Sequence, residues 1–264
     1  MITNIKKLEA ELWESADLLR QGSKLTSSQY CMPVLALLFL RYAFSRFKMV
    51  EAEILQSRPS RGGRVMPVEA SDFAAKSALF LPQEAQYDYL VNLPANIADA
   101  GLKTKDGKDI NSLGEAVNYA MQLVEEQSEQ LTGVLPKSYT MFADDLLSDL
   151  LRIFNNKTID EVGGDVIGRI YEYFLKKFAI AEGKGKGEFY TPKSVVNLIA
   201  EMIQPWSGII YDPCCGSGGM FVQSLKFVEA HQGNTKDIAV FGQESMDSTY
   251  KLAKMNLAIR GITG

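Results

Sequence analysis

The sequence is poor in the residues that build metal sites and disulfide frameworks. It has three cysteines and a single histidine in 264 residues. Cys214 and Cys215 are adjacent and Cys31 is far away, which gives neither a convincing disulfide framework nor the Cys-x-x-Cys spacing of a zinc site. His231 has no companion at ligand spacing. We therefore expect no metal ion, a structural or surface placement for His231, and small apolar fillers rather than nucleophiles at Cys214 and Cys215.

Positive charge and long apolar runs are also scarce. The net charge is -4 and the sequence pI is about 5.3, so electrostatic binding of the whole chain to nucleic acid is not indicated, although a local basic patch is still open. The most apolar run, CMPVLALLFLRYAF, is short and contains Arg41, which favours a buried helix over a membrane span. The N-terminus has no signal-peptide pattern. These features predict a cytoplasmic protein with no membrane partner.

The first 155 residues show helical periodicity and no sustained strand-like alternation. One apolar stripe ends at Gly22, and Thr26 or Ser27 is a plausible cap for a second helix that runs to about Glu53. The stripe of the first helix comprises Ile5, Leu8, Leu12, Ala16 and Leu19. A later helix has the apolar face Leu146, Leu147, Leu150, Leu151 and Phe154. We predict an all-α N-terminal domain over residues 1–155.

The pattern changes over residues 160–264. GIIYD and DIAVFGQE are typical of strands, and each is followed by a helical pattern, GGMFVQSLKFVEAHQG and DSTYKLAKMNLAIRG. Strands joined by helix-length connections pair in parallel with right-handed crossovers. We therefore predict the beginning of an α/β Rossmann-like domain, with a truncated parallel sheet, over these residues.

Two candidate ligand loops follow the ends of these strands, where open α/β sheets bind their ligands. The first contains Gly216, Gly218 and Gly219, which let backbone amides approach a ligand at a helix N-terminus. Asp212, before these glycines, would repel a pyrophosphate but suits a cationic group or an amine. Glu244, after the second strand, suits the two hydroxyls of a ribose. Together they favour an adenosine-bearing cofactor with a charged, phosphate-free tail, such as S-adenosylmethionine.

A third element, EFYTPKSVV, shortly precedes the first strand and is placed to close over the same pocket. Thr191 is a good N-cap and Pro192 fits the first helical position. Phe189 and Tyr190 offer aromatic surface, and the Tyr190 hydroxyl and Thr191 offer donors for a carboxylate. Each element alone is a weak signal, because tight connections, solvated carboxylates and helix caps are common. Their combination in this order favours a ligand site.

The motifs GEFYTP, DPCCGSGG and VFGQE resemble the cofactor-binding motifs of N6-adenine DNA methyltransferases, and most closely the modification (M) subunit of type I restriction–modification systems. LEAELWESADLLRQG resembles the start of that family's helical domain, and IGRIYEYFLKKFA the helix leading into its methyltransferase domain. The resemblance implies methyl transfer from S-adenosylmethionine to adenine N6 in DNA. The residues that it assigns to the cofactor are Glu188, Phe189, Tyr190, Thr191, Pro192, Lys193, Asp212, Gly216, Ser217, Gly218, Gly219 and Glu244.

The resemblance also implies partners. These are a specificity subunit that reads the DNA sequence, a second modification subunit, the restriction subunit as a further partner, and double-stranded DNA in the complex. Two basic groups are candidates for DNA contact, although either is more commonly a solvated face. They are Arg58, Arg61 and Arg64 in a Gly/Pro loop, and Lys176, Lys177, Lys184, Lys186 and Lys193.

The sequence contains no Asn-Pro-Pro-aromatic motif, which in that family holds the amine of the target adenine. We therefore interpret the chain as the N-terminal part of an M subunit, expect no catalytic residue in it, and predict that it is inactive alone with at best weak cofactor affinity. Two alternatives are open. One is a truncated interaction module that docks on a specificity subunit, and the other is an NAD-binding dehydrogenase fragment, against which Asp212 and the Phe-Tyr-Thr-Pro segment argue.

Overall fold

Helices build the N-terminal half of the chain. The computed structural model describes residues 2–57, 68–76, 78–156, 166–181 and 191–262. The helices of the first half are α1 (Ile2–Gly22), α2 (Ser27–Ser57), α3 (Ala70–Ala74), α4 (Tyr87–Val91), α5 (Leu113–Glu125) and α6 (Asp144–Phe154). Within the described part of this half, the only β-structure is an isolated bridge between Lys103 and Asp109. The predicted all-α character is confirmed.

Helix α1 ends at the predicted Gly22, whereas α2 begins as predicted but continues four residues past Glu53, to Ser57. In the apolar stripe of α1, Ile5, Leu8, Leu12 and Ala16 are buried and Leu19 is half-buried. At the start of α2 the Thr26 hydroxyl accepts from the Gln29 backbone N–H at 3.3 Å, and the Gln29 side chain accepts from the Thr26 N–H at 3.0 Å. Such reciprocal capping satisfies two backbone donors. Helix α2 is long and apolar enough to cross a membrane, but 78% of its most apolar window is buried inside the protein, as in a core helix.

The second half alternates helices and strands. Its elements are α7 (Val166–Ala181), α8 (Lys193–Ile203), β1 (Gly208–Asp212), α9 (Gly219–Ala230), β2 (Ile238–Gly242) and α10 (Asp247–Ala258). The two strands are parallel neighbours, in a register that pairs Gly208 with Ile238 and Asp212 with Gly242. The predicted strand–helix–strand–helix order and parallel pairing are confirmed.

One face of this two-stranded sheet is covered and the other is exposed. Ile210 and Val240 pack with Phe221 and Val222 of α9 in an apolar cluster. On the opposite face, because side chains alternate along a strand, Ile209, Tyr211 and Phe241 point away from that cluster and are exposed. Within the described residues, the sheet therefore has a single packed face.

The main apolar core extends from the helical half into the second half. Tyr171 and Phe174 of α7 are fully buried in it, together with Met255 of α10. The Tyr171 hydroxyl donates to the backbone oxygen of Leu252 at 3.3 Å, which joins α7 to α10. Burial, followed by the nearby Cys31, raises the pKa of Tyr171, and the positive charge of Arg260 offsets this only in part, so the phenol stays neutral. Helix α7 is thus packed in the main core and bonded to α10 of the second half. The domain division at residues 155–160 remains a prediction.

Candidate functional site

The loop after β1 is tied directly to the end of β2. The backbone N–H of Gln243 donates to the oxygen of Asp212 at 3.0 Å, and the N–H of Cys215 donates to the oxygen of Gln243 at 2.9 Å. These two bonds continue the parallel ladder past the last residues of the strands. They bring the loop that follows Asp212 beside the segment that contains Glu244, as the sequence predicts for carboxyl ends of neighbouring strands.

The glycine loop has the conformations for which glycine is needed. Gly216 and Gly218 have φ values of 54° and 78°, in the left-handed region. The N–H of Gly218 donates to the oxygen of Cys215 at 2.9 Å, which closes the turn immediately before α9. A Cβ built on Gly219 would meet no atom within 4 Å, so the N-terminus of α9 faces open space there. The unpaired N–H groups and positive dipole of a helix start are therefore accessible to a ligand.

Two carboxylates flank this loop, and each has spare acceptor capacity. One oxygen of Asp212 accepts from the Cys214 N–H at 3.0 Å, and one oxygen of Glu244 accepts from the Met246 N–H at 2.9 Å. Within the described residues, the second oxygen of each carboxylate accepts no hydrogen bond. Burial, followed by the negative charges of Asp212 and Glu244, raises the pKa of the Cys215 thiol between them. The site therefore has a negative potential that favours a cationic ligand.

Gly242 is a packing requirement of the site that sequence reasoning missed. A Cβ at this position would lie 2.9 Å from the sulfur of Cys215 and 2.9 Å from a ring carbon of Phe221. The end of β2 therefore touches the glycine loop and the first turn of α9 directly. The signal was present in VFGQE, since a glycine at a strand end often marks a close approach of two chain segments.

Asn256 is a second missed residue. Its side-chain nitrogen donates to the backbone oxygen of Ser217 at 2.7 Å. Asn256 is 3% exposed and Ser217 is 4% exposed, so this bond satisfies two buried polar groups at once. An asparagine within the apolar pattern of α10 was the only local indication of this role. Its partner lies 39 positions away, so the helical periodicity of the sequence cannot identify it.

The segment before β1 differs by one residue from its predicted capping. Helix α8 begins at Lys193, and Pro192 has φ -54° and ψ 135°, so Pro192 occupies the N-cap and Thr191 precedes it. The Pro192 oxygen accepts from the N–H of Val195 at 2.9 Å and of Val196 at 3.2 Å. Proline lacks an N–H and fits either position, whereas its extended ψ here starts the helix one residue later. Glu188, Phe189 and Tyr190 lie outside the described residues.

The other singled-out side chains have structural partners or fall outside the described ranges. His231 donates through Nδ1 to the backbone oxygen of Phe227 at 2.8 Å, and its ring meets that of Trp206 edge-on, as expected for a structural histidine. The Lys177 ammonium lies 5.9 Å from the centre of the Trp13 ring, so it covers an aromatic surface, whereas Lys176 is exposed. Arg58, Arg61, Arg64, Lys184 and Lys186 lie outside the described residues.

A cavity of about 330 Å³ lies elsewhere, in the helical half. Its wall combines apolar residues such as Leu90 and Ile97 with the acidic first turns of α6, including Asp144 and Asp149. It includes none of the residues that the sequence assigned to a cofactor. The candidate site is therefore the strand-end cluster, where Asp212, the glycine loop and Glu244 meet.

Two family profiles match this chain, over separate ranges. The family profile described as "HsdM N-terminal domain" matches residues 8–154, and the profile described as "N-6 DNA Methylase" matches residues 162–264. The HindI methylase subunit of a type I restriction enzyme from Haemophilus influenzae is 39% identical over 69% of this chain, and the MjaIX methylase subunit from Methanocaldococcus jannaschii is 36% identical over 98% of it. The chain spans 43% and 46% of the lengths of these relatives.

A solved structure supports the fold. The methyltransferase subunit of a type I restriction–modification system from Streptococcus thermophilus superposes with a TM-score of 0.71 at 20% identity. The match covers 98% of this chain and 57% of that one. The helical half followed by a short parallel sheet is therefore the arrangement of a known architecture. With the HsdM N-terminal profile matched over more than half of its residues, the chain belongs to the type I restriction enzyme methylase subunits.

Proposed function

We propose that this chain provides the helical domain, residues 1–155, and the cofactor-binding part, residues 160–264, of a type I modification subunit. Such a subunit transfers a methyl group from S-adenosylmethionine to adenine N6 in DNA. The cofactor assignment depends on one observation. The carboxylates of Asp212 and Glu244 lie on either side of the glycine loop, in which Gly216 and Gly218 have left-handed backbone conformations. Membership of the methylase family supports the reaction class.

The residues of the site fit S-adenosylmethionine group by group. The second oxygen of Asp212 is an acceptor for the ammonium of the methionine part, and that of Glu244 is an acceptor for ribose hydroxyls. The open N-terminus of α9 at Gly219 offers backbone N–H groups without an intervening side chain. The segment Glu188–Lys193 is proposed to complete the pocket. The bound cofactor supplies a methyl group on a sulfonium sulfur, which is electrophilic.

The negative charge of the site also favours binding of S-adenosylmethionine over binding of NAD. S-adenosylmethionine is a net cation, because its sulfonium and ammonium outnumber its carboxylate. The pyrophosphate of NAD would instead face the carboxylate of Asp212, and like charges in a partly buried site repel, whereas Glu244 suits a ribose of either ligand. The electrostatics therefore favour the methyl donor over the dinucleotide.

We propose that methyl transfer requires more than this chain. The 264 residues contain no Asn-Pro-Pro-aromatic segment to hold a flipped adenine, so we expect the chain to have no transferase activity alone. Its proposed partners in the cytoplasm are a specificity subunit, a second modification subunit, the restriction subunit and double-stranded DNA. A chain that docks on a specificity subunit without binding cofactor is the second candidate, and cofactor binding decides between them.

Isothermal titration calorimetry of the purified chain tests the proposal. We expect S-adenosylmethionine and S-adenosylhomocysteine to bind, with ligand taken into the millimolar range because the affinity is expected to be weak, and NAD to release no binding heat. Asp212→Asn is the matched variant, since it keeps the shape of the side chain and removes its charge. Binding of NAD in preference to S-adenosylmethionine would overturn the assignment, and binding of neither would favour the docking module.

A further inference from the structure

One carboxylate joins α7 to the three helices that follow it. The side chain of Glu172 on α7 is 24% exposed, and Nη2 of Arg260, just after α10, lies 2.7 Å from its Oε1. Nζ of Lys226 on α9 lies 3.6 Å from the same oxygen. Nζ of Lys193, in the first turn of α8, lies 3.9 Å from Oε2. Glu172 is therefore a junction between a helix of the main core and every helix around the proposed cofactor site.

The contact with Arg260 continues into the glycine loop. Nη1 of Arg260 donates to the backbone oxygen of Asn256 at 2.9 Å and also to the Asn256 side-chain oxygen. Because arginine can only donate, this contact fixes the amide so that its nitrogen points the other way. That nitrogen donates to the Ser217 oxygen at 2.7 Å. The Arg260 side chain is 8% exposed and Asn256 is 3% exposed, so the contacts between Arg260 and Ser217 are shielded from water.

We propose that Glu172 is a positioning residue for the cofactor loop. It acts through Arg260 and Asn256 on the oxygen of Ser217, and through Lys193 on the start of α8. This inference rests on the proposed function, because it assigns the loop to S-adenosylmethionine. Helix α7 is a suitable base, since Tyr171 and Phe174 on either side of Glu172 are fully buried in the core. The conformation of the loop is thereby set from the helical half of the protein.

A simpler role for the same contacts would be to dock α10 onto α7. The two roles differ at Asn256, because only the positioning role needs its bond to Ser217. Asn256→Asp separates them. The new carboxylate keeps the acceptor that Arg260 uses, so the docking contact survives, but it has no N–H for the Ser217 oxygen. The negative charge that Asn256→Asp adds would attract a cationic ligand. A lower affinity of this variant for S-adenosylmethionine therefore cannot come from repulsion between the new charge and the ligand.

The chain offers a matched control on the same helix. Arg169, one turn before Glu172, pairs with Glu9 of α1 at 3.2 Å, and the Glu9 side chain is largely buried. Glu9→Gln therefore removes an ion pair of α7 that has no connection to the glycine loop. Glu172→Gln removes the charge of the junction and keeps its size. Thermal unfolding of all variants measures the loss of stability that any broken ion pair causes.

Two readouts test the proposal in the 264-residue chain: hydrogen exchange of the Cys215 and Gly218 amides, and the Kd for S-adenosylmethionine. We expect Glu172→Gln and Asn256→Asp to accelerate exchange and to raise the Kd at least fivefold, and Glu9→Gln to be unchanged in both readouts. Asn256→Asp should also lower thermal stability, because the buried Ser217 oxygen loses its donor. Equal effects of Glu172→Gln and Glu9→Gln, or wild-type behaviour of Asn256→Asp, would overturn it. Failure of the wild-type chain to bind cofactor would count against the proposed function alone, because loop exchange still decides the role of Glu172.

Discussion

The side-chain nitrogen of Asn256 lies 2.7 Å from the backbone oxygen of Ser217, and both residues are almost fully buried. This bond holds α10 against the turn that begins α9. Arg260 fixes the same amide from its other side and connects it to Glu172. The loop proposed to bind the cofactor is therefore supported by side chains of two other helices, in addition to its own backbone.

Two neighbouring glycines of the loop should respond differently to alanine. Gly218 has φ 78°, so Gly218→Ala should destabilise the chain by about 1 kcal/mol from left-handed strain, and should also weaken cofactor binding. A Cβ on Gly219 meets open space, so Gly219→Ala should leave stability unchanged and lower the affinity alone. Urea unfolding and calorimetry measure the two effects. Equal loss of stability in both variants would contradict the described loop geometry.

Gly242→Ala should be destabilising through crowding. Its Cβ would lie 2.9 Å from Cys215 and from Phe221, and overpacking of this kind costs about 1–3 kcal/mol. Gly22→Ala is the control, because a Cβ there meets nothing within 4 Å. Thermal unfolding compares the two. The addition of Cys215→Ala to Gly242→Ala should recover part of the loss, and no recovery would mean that the crowding lies elsewhere.

The helices and the strand order follow from local patterns in the sequence, whereas the supports of the site do not. The buried stripe of α1 and the Thr26 cap of α2 are set by residues within one turn of each other, so spacing alone reveals them. Pro192 fits both an N-cap and a first helical position, which explains the one-residue error at α8. The roles of Gly242 and Asn256 depend on partners distant in sequence, and no local pattern encodes such partners.

The three cysteines should react with a thiol reagent in a fixed order. Cys214 is exposed, Cys215 is half-buried and Cys31 is buried. The thiolate is the reactive form, and burial raises the pKa of Cys215, so its labelling should stay slow at neutral pH and rise only in more alkaline solution. Mass spectrometry of iodoacetamide-treated protein at pH 7 and pH 9 measures the rates. Labelling of Cys215 as fast as Cys214 at pH 7 would contradict this order.

The chain alone should not methylate DNA. Tritiated S-adenosylmethionine, incubated with the chain and DNA that contains the target sites of related enzymes, should transfer no label above background. The expected reason is the lack of the Asn-Pro-Pro-aromatic segment within these 264 residues. A complete type I modification complex serves as the positive control. Incorporation of label by the chain alone, at a rate above that of Asp212→Asn, would show that the chain itself catalyses methyl transfer.

The convergence of Asp212, the glycine loop and Glu244 on one S-adenosylmethionine molecule is tested most directly by a residue-resolved titration of the ¹⁵N-labelled chain. The amide resonances of residues 214–220 and 243–246 should shift together, with a common Kd, and Asp212→Asn should weaken binding equally by both sets of resonances. Shifts confined to the helical half, or the same loop shifts produced by NAD, would contradict it.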